Sequence, residues 1–297
     1  MTRIPFAKPP LSLADQVSLL QSRGMLVSDP VRAQESLLRL NYYRFSGYAL
    51  HFESFVNRQR THAFAPGTSF DQVVALYQFD AQARSLLFRY IQVVEIAFRS
   101  AVCYELAIQT NNPHWYLDQS MYSSRFDYAH LLADCQRECD RSDEIFIYSY
   151  RLKYDQPPLP PAWMMTEILS MGCWSRIYMR LADQEGKKAV ADHFLVSPHY
   201  LESWIHALSV LRNLCAHHAR IWNRRFTIRP RLPRPLQSLV VDNTYLAALL
   251  VVLMQLLSTL GRRGEFRIEF DALLASFPDV PRDKMGLLVP TLGGEQA

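Results

Sequence analysis

Arg212, Asn213, His217 and His218 crowd one short segment, Leu211-Arg212-Asn213-Leu214-Cys215-Ala216-His217-His218. Histidine exchanges protons near neutral pH. The planar fork of arginine holds phosphate and offsets negative charge developing on it. Together these groups meet the needs of RNA cleavage without a metal. The 2′-OH of the RNA attacks the adjacent phosphorus, and the departing 5′-oxygen takes a proton. A helix whose histidines are merely buried or solvated would carry the same letters, so the surroundings matter.

Those surroundings are electropositive. Residues 203–241 contain seven arginines and no acid, in a chain whose net charge is +4, so the remainder sums to −3. Arginine outnumbers lysine 27 to 5. Codon bias and a solvated face give such a composition, but an acid-free arginine run also fits a polyanion partner, most often nucleic acid. Arg220, Arg224, Arg225 and Arg229 follow the histidines directly and are expected to grip RNA backbone.

Ser197-Pro198 pairs a capping residue with proline at the first helical position. The helix it opens is expected to run through LESWIHALSVLRNLCAHHARIW. On such a helix Arg212 and His217 stand roughly 140° apart around the axis. Asn213 and His217 are four apart and nearly eclipsed, so the asparagine can steer the imidazole. Arg212 and His217 need not converge within one helix; two copies packed about a two-fold axis could bring both pairs to one cleft, and a homodimer is expected.

The other elements read as helices almost throughout. Ser12 caps a helix to about Arg23, and Asp29-Pro30 opens one through Leu40. The aromatic stretch NYYRFSGYAL, Asn41 to Leu50, suggests packing on a broken helix, although its rings could also stack unpaired bases. THAFAPGTS, residues 61–69, reads as a loop, with Thr68 or Ser69 capping a long helix to about Ile108. Two shorter helices fill 127–153, divided near Ser142. QPPLPPAW is a stiff connector leading into a helix over 163–181. Prolines 230, 233 and 235 prevent helix continuation; Asp242-Asn243 then caps an apolar helix that Gly261 ends. The expected organisation is all-α: an N-terminal helical extension over 1–60, a helical domain over 61–277 and a loose tail over 278–297.

Composition excludes several classes. Hydrophobic residues are 49% and charged residues 20%, which rules out a disordered chain. Only 10 glycines argue against a hairpin-rich β fold. Five cysteines, an odd number in a chain of 297 residues, point to a reducing, cytoplasmic setting. The opening MTRIPFAKPPLSLADQ lacks the apolar stretch of a secretory signal, so none is expected. The apolar run Tyr245 to Leu260 spans about 24 Å as a helix, short of a hydrocarbon core of about 30 Å, so no membrane partner is expected. Cys135 and Cys139 lie one helical turn apart without a second pair at zinc spacing, so no metal and no cofactor is expected.

Arg212-Asn213-Leu214-Cys215-Ala216-His217 resembles the R-N-x-x-x-H signature of HEPN ribonucleases. The likeness extends to the Abi-like proteins, the AbiD/AbiF group of bacterial abortive-infection factors. The segments that carry it occur in order: KPPLSLADQVSLLQSRG, NYYRFSGY, GTSFDQVVALYQFD, VVEIAFRS and RNLCAHHARIWNR, over residues 8 to about 225. The resemblance implies a HEPN-like helical bundle, RNA cleavage in anti-phage defence, a site shared between units, and association with a small non-coding RNA. It makes Arg212 and His217 the catalytic pair and Asn213 a supporting residue, with His218 also inside the permitted spacing. Glu95 and Arg99 match the family's Glu-x-x-x-Arg and would orient the pair or contact RNA; a plain intrahelical salt bridge explains the same spacing. The rival readings are a non-catalytic module that holds a structured RNA and a helical scaffold of a defence complex.

Overall fold

The structure, a computed structural model, describes Pro5, Ala7 and residues 9–57 and 59–287. Lys8, which opens the first family-like segment, and residues 288–297 of the expected tail lie outside the described residues. Among the described residues the chain forms thirteen α-helices and a two-stranded sheet, an all-α fold. It divides into two compact units, Met1–Gln82 with Phe277–Val280, and Ala83–Ser276 with Pro281–Ala297.

The first unit contains α1 (Leu13–Ser22), α2 (Pro30–Leu40), α3 (Tyr42–Ala49), β1 (Glu53–Val56), β2 (Gln59–Phe64) and the start of α4 (Phe70–Thr110). Its helix starts follow the capping chemistry read from the sequence. The Ser12 side chain accepts the Asp15 N–H, and Asp29 accepts those of Val31 and Arg32 ahead of Pro30. Ser69 and Gln72 form a reciprocal capping box: the Ser69 hydroxyl accepts the Gln72 N–H at 3.2 Å, and the Gln72 side chain accepts the Ser69 N–H at 2.9 Å. Of the stretch 61–69 expected to be a loop, 61–64 belong instead to β2 of a hairpin, and 65–69 form the loop. Val56 faces Gln59, and Asn57 takes the left-handed φ of 50° that a tight two-residue turn requires. Asparagine adopts that conformation more readily than most residues. Phe45 stacks on Phe70 at 4.6 Å, and Phe79 meets Phe277 at 5.8 Å, to build the unit's core.

The second unit holds the rest of α4, then α5 (Tyr128–Arg141), α6 (Ile145–Lys153), α7 (Ala162–Ile168), α8 (Met171–Arg180), α9 (Gln184–Asp192), α10 (Pro198–Ala216), α11 (Arg234–Gln237), α12 (Leu246–Thr259) and α13 (Arg263–Ser276). α10 packs on α8, α9 and α12, and α12 packs on α13. α4 contributes buried Val94, Phe98, Val102 and Leu106 at four-residue spacing. Phe98 meets Tyr178 of α8 edge-on at 5.4 Å, and Tyr90 meets Phe266 of α13 at 5.0 Å. Trp115, Trp174, Trp204 and Trp222 are fully buried. α12 is buried almost all round, the position its uniform apolarity demands. No helix among the described residues is long and apolar enough to cross a membrane.

Three departures from the sequence reading have local causes. The helix expected over 163–181 is two helices, because the Ser170 hydroxyl accepts the Cys173 N–H and opens a new N-terminus. α12 begins at Leu246, and the Asp242 carboxylate accepts the Thr244 N–H in the turn before it. In the expected loose tail, Asp283–Met285 form a 3-10 turn that buries Met285, and Leu287 bridges to Val240.

Candidate active site

α10 and α4 supply the residues with chemistry. The buried face of α10, with Leu201, Trp204, Ile205, Leu208 and Leu211, fixes its rotation and leaves Arg212 half-buried beside the core. On α4, Val94 and Phe98 are buried, and Glu95 and Arg99 occupy the adjoining face. The Arg212 Nε approaches the Glu95 Oε2 at 3.4 Å. Arg99 donates to the other oxygen of Glu95, and its Nη1 donates to the Thr166 carbonyl at 2.9 Å. One buried carboxylate thus holds two guanidinium groups. The Arg212 guanidinium also lies over the Phe88 ring at 5.2 Å. Burial and the neighbouring Arg212 charge push the Arg99 pKa down to about 10, and its Nε is buried without a hydrogen-bond partner.

These residues line a cleft of about 580 Å³. A second carboxylate-centred cluster lines the same cleft and was not anticipated. Asp134 of α5 receives hydrogen bonds from Arg137 and, at 2.6 Å, from Arg176 of α8. Burial alone would raise the Asp134 carboxyl, but the bonds from Arg137 and Arg176 outweigh it and hold the group below the ordinary carboxylate range. The Asp134–Arg137 spacing is visible in the sequence. Arg176 lies 42 positions from Asp134 on another helix, and no sequence signal joins them.

The histidines sit elsewhere. α10 ends at Ala216, not at Trp222 as expected. His217 is the C-cap, and His218 takes a left-handed φ of 55°. The Ala219 N–H reaches the Leu214 carbonyl at 2.9 Å and the His218 N–H reaches the Cys215 carbonyl at 3.1 Å, the paired bonds of a Schellman motif. α12 closes identically, but with Gly261 at the left-handed position. His218 therefore stands where glycine is the ordinary occupant.

His217 and His218 are exposed, and neither lines the cleft that Arg212 enters. Asn213 is exposed as well, and it meets His217 through the main chain, its carbonyl accepting the His217 N–H at 3.0 Å. Of the arginines expected to hold RNA, Arg225 pairs with Asp242 at 2.8 Å and lies over the Tyr245 ring at 4.5 Å. Arg224 donates to the Arg220 carbonyl at 3.4 Å, and Arg229 is exposed. Cys135 and Cys139 are buried, and the Cys139 thiol contacts the Met165 sulfur at 3.7 Å.

The profile of the Abi-like protein family matches residues 35–223, a stretch that includes both carboxylate-centred clusters and both histidines. No curated protein and no solved structure matches the chain.

Proposed function

Because the chain belongs to the family of Abi-like proteins, we propose that it acts in bacterial abortive infection as a HEPN-type endoribonuclease of the cytoplasm. The observation that carries this reading is the junction of Arg212 with Glu95 and Arg99. The arginine of the R-N-x-x-x-H segment is held beside the Glu-x-x-x-Arg pair in a cleft, with terminal guanidinium nitrogens left for phosphate.

In this mechanism Arg212 binds the scissile phosphate and offsets charge on the pentacoordinate transition state. His217 takes the proton of the attacking 2′-OH or returns one to the departing 5′-oxygen, and Asn213 supports it. Glu95 and Arg99 position Arg212. The nucleophile comes from the RNA itself, so no metal-activated water is required. Glu95 and Asp134 suit this chemistry, since each is engaged by two guanidinium groups.

Arg212 faces the cleft and His217 lies beyond the helix end, so the working unit we propose is a homodimer that pairs Arg212 of one chain with His217 of the other. Arg220, Arg224, Arg225 and Arg229 hold flanking RNA, and a small non-coding RNA is the proposed regulatory partner. Incubating the purified chain with RNA and mapping the ends tests the activity. Cut RNA that disappears with His217→Ala supports it. Bound, uncut RNA would instead identify a non-catalytic RNA-binding module.

A further inference from the structure

Beside the cleft lies a second cavity of about 260 Å³, and the two share Cys173 and Arg176 in their walls. Arg125, Arg176 and Arg180 line this cavity together with Phe126 and His130. Its one carboxylate, Asp127, accepts the His130 N–H at 2.9 Å as the cap of α5. We propose that cleft and cavity form one continuous path for single-stranded RNA, with Arg176 and Arg180 contacting successive phosphates and Phe126 offering a stacking face to a base.

The geometry supports each part. Arg176 and Arg180 are exposed and lie four residues apart on α8. Their Cβ atoms are therefore about 5–6 Å apart on one face, a separation comparable to one nucleotide step. Asp134 anchors Arg176 through one nitrogen, which fixes the direction of the fork while leaving other donors for an anion. The Phe126 ring is half-buried, packs against Tyr122 at 4.8 Å and lines the cavity. Aromatic faces interleaved with arginines are how proteins track single strands.

The path takes its ligand from the endoribonuclease reading, and the test separates the two. Binding is measured with a fluorescent single-stranded RNA of about twelve nucleotides, using the His217→Ala chain so that cleavage does not intervene. Arg176→Ala combined with Arg180→Ala is expected to lower the log–log salt slope by roughly 1.4, two single-strand phosphate contacts. Phe126→Ala is expected to weaken binding about tenfold with the slope unchanged. Arg125→Ala with Arg180→Ala leaves the Asp134 cluster intact and should lower the slope by at least the roughly 0.7 of the Arg180 contact if the first pair misfolds. Arg32→Ala with Arg39→Ala, two exposed arginines on α2, is the charge-matched control and should change nothing.

If the unmutated chain cuts RNA while both arginine double variants keep the parental slope, the path is wrong and the nuclease stands. If that chain neither binds nor cuts RNA, both readings fall. Equal affinity for duplex and single-stranded RNA would also overturn the path.

Discussion

Arg212 and Glu95 lie 117 positions apart in the sequence and meet at 3.4 Å in the folded chain. The contact joins the two family-like segments RNLCAHHARIWNR and VVEIAFRS at one point. Glu95 thus touches Arg212 through one carboxylate oxygen and Arg99 through the other.

The first prediction concerns the proposed pair. Arg212→Ala and His217→Ala should each slow RNA cleavage by about 10²- to 10⁴-fold, while circular dichroism and the thermal transition show a folded chain. Single-turnover cleavage of a labelled RNA provides the rate. Parental cleavage by His217→Ala, together with loss in His218→Ala, would move the acid–base role to His218.

Product ends test the nucleophile. Cleavage should persist in excess chelator and leave 2′,3′-cyclic phosphates, and a 2′-deoxy sugar at the scissile position should block it. Mass spectrometry of the fragments distinguishes this outcome from 5′-phosphate and 3′-OH ends, which a metal-activated water would produce.

Mixing tests the dimer. Inactive Arg212→Ala and inactive His217→Ala chains, unfolded and refolded together, should regain activity. Each heterodimer then has one site with both Arg212 and His217. Sedimentation of the active species as a monomer, with no recovery on mixing, would refute the composite site.

The Schellman closure of α10 predicts a stability order at position 218. Glycine has no Cβ penalty in the left-handed region, so His218→Gly should stabilise the chain by roughly 0.5–1 kcal/mol. His218→Val should destabilise it, because a β-branched residue is disfavoured at φ of 55°. Urea midpoints of the three chains check the order. Cleavage retained by the glycine variant would add that the imidazole at 218 has no part in the chemistry.

Acid should loosen the cleft through Asp134. Its carboxyl is held below the ordinary range in the folded chain, so its contribution to stability is present above the unfolded value. That contribution is lost as pH falls through the folded value. Asp134→Asn should therefore show a shallower acid limb in a plot of unfolding free energy against pH, while the parent shows the steeper fall.

The sequence was informative where the chemistry is local. Ser12 and Asp29 each cap the helix they are expected to open, and of the two candidates Thr68 and Ser69 it is Ser69 that caps α4, because a side-chain oxygen satisfies donors only two or three residues away. Glu95 and Arg99 were visible as an i,i+4 pair for the same reason. The end of α10 is not legible because nothing in the letters marks His218 as left-handed; histidine occupies a position that glycine usually announces. The Asp134–Arg176 contact was missed because it depends on how α5 and α8 pack, which no spacing within either helix encodes. The hairpin is hard to read from the letters because Asn57 is followed in the sequence by Arg58 rather than by the glycine that usually marks a two-residue turn.

The cations of the cleft wall are Arg99, Arg137, Arg176 and Arg212, set among the carboxylates of Glu95, Asp134, Glu138 and Glu167, and no lysine lines it. This divides the chain's cations by reactivity towards labelling reagents. Lys187, buried and paired with Glu202 at 2.7 Å, is shielded, while Lys188 is exposed on α9. An amine-directed fluorophore or a resin coupled through lysine would therefore attach outside the cleft wall and leave its residues unmodified. An arginine-directed dicarbonyl would instead attack the wall itself, and an anion seated in the cleft would protect it.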